Sequence, residues 1–344
     1  MTTAAPTTGI VLIARLDNAG DVLLAGPAVR AVAAHVTKVV LLTGPHGRAA
    51  AELLPGVETV IEWCAPWIDP DPPAVTAEHV AALHHAVRAQ APRAALLLTS
   101  FHQSPLPLAL LLRLAGVRWI GAISEDYPGS LLDLRHRVAG DPPEAHRALG
   151  LVNAAGYRLP PGDDGRLAVR RPLPEVEHLT GGPGYVVVHP GASAPARAWP
   201  ASHCAHAVRA LADAGHRVVV TGTARERHLT AQVAGTTGVD LGGRTDLRTL
   251  AAVLDGACVL VAGNTGPAHL AAAVRTPVVS LFAPVVPAAR WAPYGVPTVL
   301  LGDQHAPCRD TRARHCPIPD HPCLSNVSPA EVVEAVSSLM GTQR

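Results

Sequence analysis

Three short segments combine residue types able to do chemistry. In ARLDNAGDVLLAGPAVRAV the pair Gly20-Asp21 places a carboxylate where an apolar run gives way to a helix-like stretch. A carboxylate facing a bound hydroxyl is a general base. An aspartate at a helix start is equally an N-cap, with the glycine as a tight turn. Asp17, four residues earlier in the same loop, is the competing carboxylate. In HPGASAPARAWP, Gly191, Ala192 and Ser193 form a loop, and Arg197 stands shortly before a helix opened by Pro200. Small residues let backbone amides approach a phosphate, a hydroxyl adds a donor, and a guanidinium binds phosphate through two nitrogens. An ordinary connection with an exposed arginine accounts for the same residues. The third segment, VLVAGNTGPAHLAAAVRTP, runs from a strand through Gly263-Asn264-Thr265-Gly266-Pro267 into a helix with His269 in its first turn. Asn264 or Thr265 would cap that helix and Pro267 suits its first turn, so free amides point out as an anion site. His269 lies at the same end, able to donate to a phosphate or sugar oxygen.

Two other constellations fall away or stay open. No GxGxxG follows the first strand and there is no GxxxxGK[ST], so dinucleotide and P-loop chemistry lose their support. Near the C-terminus Cys308, Cys316 and Cys323 are interspersed with His305, His315 and His321. They offer three thiolates and an imidazole to zinc, but the spacing lacks a CxxC pair. The preferred reading is no metal: a proline-rich loop of reduced thiols that helps tie the terminal helix back to the first domain. Structural zinc is the alternative.

The elements that must position these residues alternate in type. Apolar runs at 10–14, 39–44, 57–63, 94–100 and 118–123 read as strands, with helix-like stretches at about 22–35, 46–54, 76–91 and 104–115. Strands that are apolar throughout belong to a parallel sheet covered on both faces. The pattern pauses in a Pro/Gly/Asp/Arg-rich stretch at 159–184 and restarts at residue 185. Strands follow near 185–189, 217–221, 239–241, 258–262, 277–282 and 298–301, with helices near 200–214, 224–234, 246–255 and 266–274. Residues 329–340 read as an amphipathic helix capped by Ser328. The expected organisation is therefore a first domain over 1–165, a linker over 166–184, a second domain over 185–327 and a terminal helix over 328–344. Both domains are α/β and doubly wound, and their ligands are expected in a cleft at the carboxyl ends of the strands.

Composition narrows the partners. The 344 residues carry 28 basic and 27 acidic side chains and a net charge of +1, which removes a dedicated nucleic-acid binder. With 48% apolar residues there is enough material for two cores. Lys38 is the sole lysine, which reads as compositional bias. The N-terminus has no basic region and its apolar run, Gly9 to Ala14, is below the length of a secretory signal, so a cytoplasmic location is expected. No stretch reaches the length of a membrane span, leaving at most peripheral membrane association. In that compartment the six cysteines are expected to stay thiols, with Cys64, Cys204 and Cys258 in packed settings.

The ordered set of segments resembles glycosyltransferase family 9, the ADP-heptose:lipopolysaccharide heptosyltransferase-like enzymes of the GT-B fold. The resemblance is carried by RLDNAGDVLLAGPAVRAV, HPGASAPARAWP, GNTGPAHLAAAVRTPVVSLFAP with ARWAPYG after it, and CPIPDHPCL. It implies two Rossmann-like domains, with the C-terminal helix packing back on the N-terminal one. It also implies an inverting, metal-independent transfer of a sugar from a nucleotide diphosphate donor, held by the second domain, to an acceptor held by the first. By position, Asp21 would be the base, Arg197 would stabilise the departing diphosphate, and Ser193, Thr265, Gly266 and His269 would bind the donor. Glu226 stands about where the family carries an acid near the nucleotide ribose. Where the heptosyltransferases commonly read Asp-Thr-Gly, this chain reads Asn264-Thr265-Gly266, which leaves the donor sugar open. Over 124–147 the likeness is confined to the neighbourhood of Arg135 and His136, so the acceptor, a glycan, glycolipid or small molecule, is open too. The rival readings are a nucleotide-sugar epimerase of the same fold and a non-catalytic sugar-nucleotide-binding subunit.

Overall fold

A computed structural model describes Ala5 and residues 8–341. The chain divides into two compact units, Met1–Arg170 and Arg171–Arg344. The first contains β1 (Ile10–Arg15), α1 (Ala19–Leu24), α2 (Gly26–Ala33), β2 (Lys38–Thr43), α3 (Arg48–Leu53), β3 (Thr59–Glu62), α4 (Ala77–Gln90), β4 (Ala94–Leu97), α5 (Leu106–Leu114), β5 (Trp119–Ile123), β6 (Leu134–His136) and α6 (Glu144–Ala154). Its six strands are all parallel, in the order β3-β2-β1-β4-β5-β6. Leu12 and Ala14 face one side of β1 and Val11 and Ile13 the other, all of them buried, as a sheet covered on both faces requires.

The second unit contains α7 (Glu177–Thr180), β7 (Tyr185–His189), α8 (Ala201–Asp213), β8 (Val218–Val220), α9 (Arg227–Ala234), β9 (Val239–Asp240), α10 (Leu247–Asp255), β10 (Ala257–Gly263), α11 (Gly266–Ala273), β11 (Val278–Leu281), α12 (Ala288–Trp291), β12 (Thr298–Leu301), α13 (Pro322–Ser325) and α14 (Pro329–Gly341). The sheet order is β12-β11-β10-β7-β8-β9, again all parallel. Counted within the unit and read from the other edge, this is the topology of the first sheet. Each unit therefore has its strand-order reversal beside its first strand, between β1 and β4 and between β7 and β10. In this fold class the carboxyl ends at that reversal receive the ligand.

Several local expectations change. Gly20 lies inside α1 rather than in a turn, and the helix N-cap is Asn18, so Asp21 is a first-turn residue and not the cap. The single helix expected over 22–35 is two, broken at Ala25. β6 and α6 had no apolar run to announce them: β6 is three half-buried residues, Leu-Arg-His. Ser328 does cap α14, its hydroxyl accepting from Glu331 N at 3.3 Å while the Glu331 carboxylate accepts from Ser328 N at 2.7 Å. α14 packs within the second unit. Val332, Ala335, Val336 and Leu339, at helical spacing, join Cys204, Val208 and Leu211 of α8 and the strand residues Val259 and Val279 in the second unit's own core. Its apolar stripe is used up there. Segment 166–170, assigned by composition to a linker, is held on the first unit, where Arg170 N donates to Leu53 O at 2.7 Å and its Nε to Leu54 O at 3.0 Å. No helix among the described residues is long and apolar enough to cross a membrane.

Candidate active site

In the first unit the loop leaving β1 is organised by Arg15, the last residue of the strand. Its guanidinium meets Asp17 Oδ2 at 2.7 Å through Nε and Asp21 Oδ1 at 3.0 Å through Nη2. Nη1 lies 3.4 Å from Glu144 Oε2 at the start of α6, and Arg147 Nε stands 3.0 Å from Glu144 Oε1. Ser100, just beyond β4, accepts from Arg15 Nη2 at 2.8 Å and donates to Asp17 Oδ2 at 3.2 Å. Gln103 donates to Asp17 Oδ1. Burial works against the Arg15 cation, but the charges of Asp17, Asp21 and Glu144 outweigh it and hold the guanidinium protonated.

The two competing carboxylates now separate. The Asp17 side chain is 7% exposed and its oxygens serve Arg15, Ser100 and Gln103. Burial pushes its carboxyl above the ordinary aspartate range, and the neighbouring Arg15 only partly offsets that. Asp21 keeps 19% of its side chain exposed at the carboxyl edge of the sheet. Of the two, Asp21 is the one a solvent-borne hydroxyl can reach. Arg135 and His136 lie on β6 at the far side of the same sheet. Arg135 is engaged locally, its Nε donating to Ser124 O at 3.0 Å and its Nη2 to Glu125 O. His136 packs over Gly150 of α6, and burial followed by the Arg147 charge lowers its imidazole pKa.

In the second unit two loops converge at the reversal point. The β7 loop carries Ser193, which is exposed, and closes in a 3-10 turn at Pro195–Arg197. The β10 loop runs through Asn264 to Thr265, the N-cap residue of α11, whose side chain makes no capping bond. The two touch at Gly263, where a Cβ would stand 2.8 Å from the Arg197 carbonyl oxygen, so only glycine lets the Arg197 backbone come this close. Gly266 and Pro267 open α11, leaving its first amides directed out of the helix, and His269 is buried one turn in. Asn264 is 6% exposed, and neither its amide oxygen nor its amide nitrogen has a hydrogen-bond partner among the described residues. A buried amide left unmatched costs about 1–3 kcal/mol, and a ligand offering both a donor and an acceptor would recover it.

Glu226 closes the β8 loop, accepting from Thr223 N at 2.7 Å and Thr223 Oγ1 at 2.8 Å in a capping box. Its carboxylate also presses on Gly191, where a Cβ would fall 2.0 Å from Oε1. The glycine thus lets Glu226 reach the β7 loop beside Ser193. His189, at the end of β7, bonds through Nδ1 to Thr221 Oγ1 at 3.0 Å. Burial lowers its pKa, against the Glu226 charge that raises it.

The cysteine-bearing loop binds the β7 loop of its own unit: Ala196 N donates to Arg314 O at 3.0 Å and His321 Nε2 lies 3.1 Å from Ala196 O. All six cysteines are free thiols. Cys308 and Cys323 are buried while Cys316 is half-buried. Burial, then the neighbouring Cys316, pushes the Cys308 thiol up, and burial pushes Cys323 to about 12. Among the described residues no group of three or more His, Cys, Asp or Glu side chains is arranged to hold a metal ion.

Sequence reasoning overlooked the Arg15 hub with Ser100, Gln103, Glu144 and Arg147. A signal existed for Arg15 alone, a charge ending an otherwise apolar strand directly before a ligand-facing loop.

Comparison with known proteins identifies relatives of the chain and of its fold. The family model described as glycosyltransferase family 9 (heptosyltransferase) matches residues 80–321. Lipopolysaccharide heptosyltransferase 3 of Escherichia coli is 31% identical over 175 residues, 48% of this chain and 50% of that protein. The match thus spans half the length of that curated relative. Among solved structures, a family 9 glycosyl transferase from Veillonella parvula superposes with a TM-score of 0.77 at 15% identity, covering 98% of this chain and 99% of that one. The E. coli ADP-heptose lipopolysaccharide heptosyltransferase II gives 0.74 at 18% identity over 97% and 99%. At those identities the likeness establishes the fold, which is the expected GT-B architecture of two Rossmann-like units.

Proposed function

This chain belongs to glycosyltransferase family 9, and from that premise we propose that it moves a sugar from a nucleotide diphosphate to an acceptor hydroxyl with inversion at the anomeric carbon. The first unit supplies the base and binds the acceptor, and the second holds the donor. Asp21 takes the proton from the acceptor hydroxyl as the oxygen bonds to the anomeric carbon. The bond from that carbon to the diphosphate breaks, and the nucleoside diphosphate leaves with the electron pair. The charge it gains is met by the Arg197 guanidinium, the amides at the start of α11, Ser193 and His269 rather than by a metal ion. Thr265 and Gly266 shape that anion site, Asn264 hydrogen-bonds the donor, and Glu226 stands by its ribose. Arg135 and His136 lie on the acceptor side. The donor is ADP-heptose or a related ADP-sugar, by analogy with the E. coli ADP-heptose heptosyltransferase II. The acceptor is a hydroxyl of a glycan, glycolipid or small molecule, and the protein works in the cytoplasm.

The observation that carries this reading is the paired placement at equivalent points of two sheets of the same topology. A partly exposed carboxylate lies beyond β1, and an arginine loop with a glycine-opened helix lies beyond β7 and β10. Thermal-shift screening with ADP, UDP, GDP and dTDP sugars tests the donor, and ADP-sugars are expected to stabilise most. The same donors are then incubated without acceptor. A donor that persists supports transfer, whereas its rapid conversion identifies an epimerase instead.

A further inference from the structure

At the carboxyl ends of β1 and β4, where the strand order of the first unit reverses, the chain leaves a pocket. Its floor is aliphatic: Leu16 just beyond β1, Leu97 and the following Leu98 at the end of β4, and Leu108 of α5. Thr99, Gln103 and Ser104 supply uncharged polar groups, and Trp67 adds an aromatic wall. Apolar walls with a few polar groups, placed at a strand-order reversal, are the usual make-up of a small-molecule site in this fold class. The lining also joins the pocket to the candidate base. Gln103 donates to Asp17, and Leu16 stands between Asp17 and Arg15, whose guanidinium meets Asp21 at 3.0 Å.

Trp67 is held from behind. The turn that carries it closes on the Ala65 carbonyl, which accepts from Ile68 N at 3.0 Å and Asp69 N at 3.1 Å. Buried Trp63 has its ring 5.6 Å from that of Trp67 and 4.7 Å from that of His79, the latter pair stacked, and its Nε1 donates to His79 O at 3.1 Å. Over this backing 37% of Trp67 stays open to solvent. Phe101, two residues before Gln103, is exposed to the same extent. An indole fixed in this way at a ligand-facing edge offers a flat apolar face and loses little freedom when a ligand packs on it.

Charge decides which ligand. Among the described residues no side chain lining the pocket is charged. Its polar groups lead to carboxylates instead, Gln103 to Asp17 and Ser104 Oγ to Asp126 Oδ2 at 3.1 Å. The Arg15 guanidinium, 3% exposed, is already engaged by Asp17, Asp21 and Glu144. A phosphate or carboxylate entering here would meet like charge and no cation, which strongly disfavours it. A neutral sugar ring suits both features. The hydrogens of its C–H face carry slight positive charge against the negative face of the indole, and its hydroxyls match the polar ends of Thr99, Gln103 and Ser104.

We infer that this pocket receives an uncharged sugar ring of the acceptor, stacked on Trp67, and that its uncharged lining excludes phosphorylated and acidic sugars from that position. The inference rests on the reading that the first unit binds the acceptor. Trp67 is then a specificity-determining residue.

The test is a proton–nitrogen-15 NMR titration of protein labelled at its five tryptophan indoles, with the Trp67 signal identified by its loss in Trp67→Phe. The probes are the methyl glycosides of glucose, galactose and a heptose, set against glucose phosphate and methyl glucuronide. The Trp67 signal is expected to move with a neutral glycoside, the two anionic sugars binding more weakly by about tenfold or more. Saturation-transfer NMR, observed on the glycoside, should show about tenfold weaker binding to Trp67→Ala, with the ADP-induced rise in melting temperature unchanged. A Trp67 signal that no neutral glycoside moves, or that the anionic sugars move as readily, overturns the inference. So does a signal that shifts with protein concentration alone, which would mean that a second copy of the chain covers the ring. These wild-type readings decide even if Trp67→Ala does not fold. Failure of the transferase reading shows separately, as ADP-heptose that no acceptor consumes while the Trp67 signal still responds to sugar.

Discussion

Two residues whose roles rest on single atoms carry most of the proposed chemistry, Asp21 and Asn264. Asp21 was visible in the sequence because Gly-Asp follows an apolar strand, but its distinction from Asp17 was not, since both precede or open the same helix. Burial made that distinction, and burial depends on Ser100, Gln103 and Glu144, which are remote in sequence. Asn264 was legible as a departure from the heptosyltransferases, not as an unsatisfied amide. Its 6% exposure without a hydrogen-bond partner among the described residues makes a two-sided prediction. Asn264→Leu, of similar shape, removes the unmatched polar group and should stabilise the ligand-free protein by about 1 kcal/mol. The same change should weaken ADP-sugar binding by about tenfold, one lost hydrogen-bonding group being worth ~1.4 kcal/mol. Thermal melts and calorimetry read the two halves. Loss of stability together with unchanged affinity would show that Asn264 serves the fold instead.

At the level of elements, the loops of the proposed donor site are built by close backbone approach. Gly263 ends β10 against the Arg197 carbonyl, and the cysteine-bearing loop grips both polar groups of Ala196 next door. Gly263→Ala places a methyl 2.8 Å from that carbonyl and must push the Arg197 turn outward. Because the strand itself remains paired, the expected effect is a five- to twentyfold loss of ADP affinity, about 1–2 kcal/mol, with little change in circular dichroism. An affinity equal to wild type would mean that the turn tolerates displacement and does not set the arginine. The sequence shows a glycine at this position but not which backbone it makes room for. Contacts between β7 and β10 join residues far apart in the chain, and no local pattern encodes them. The terminal helix shows the same limit: its apolar stripe was readable, and its partner α8 was not.

For the molecule as a whole, the doubly wound architecture was readable because buried parallel strands are apolar on both faces, leaving uninterrupted Val, Ile and Leu runs. β6 escaped because three half-buried residues leave no such run. Stability should carry a pH signature of its own. His189 has a lowered folded-state pKa, caused first by burial, so the unfolded chain binds more protons. Its contribution is present in full above the ordinary value of 6.5 and is lost as the pH falls below it. The midpoint of thermal unfolding should drop between about pH 7.5 and 5.5, and His189→Gln, which keeps a partner for Thr221 but takes up no proton, should flatten that drop. Equal slopes in the two proteins would show that His189 does not cause it. In the proposed mechanism, acceptor-dependent sugar transfer driven by Asp21 is the step on which every other role depends. ADP release from ADP-heptose, followed with and without a lipopolysaccharide core acceptor in wild type and in Asp21→Asn, reads that step itself. Release should require the acceptor and fall by about a hundredfold or more in the variant, with ADP affinity unchanged. Release independent of acceptor, or undiminished in Asp21→Asn, would contradict the transfer mechanism.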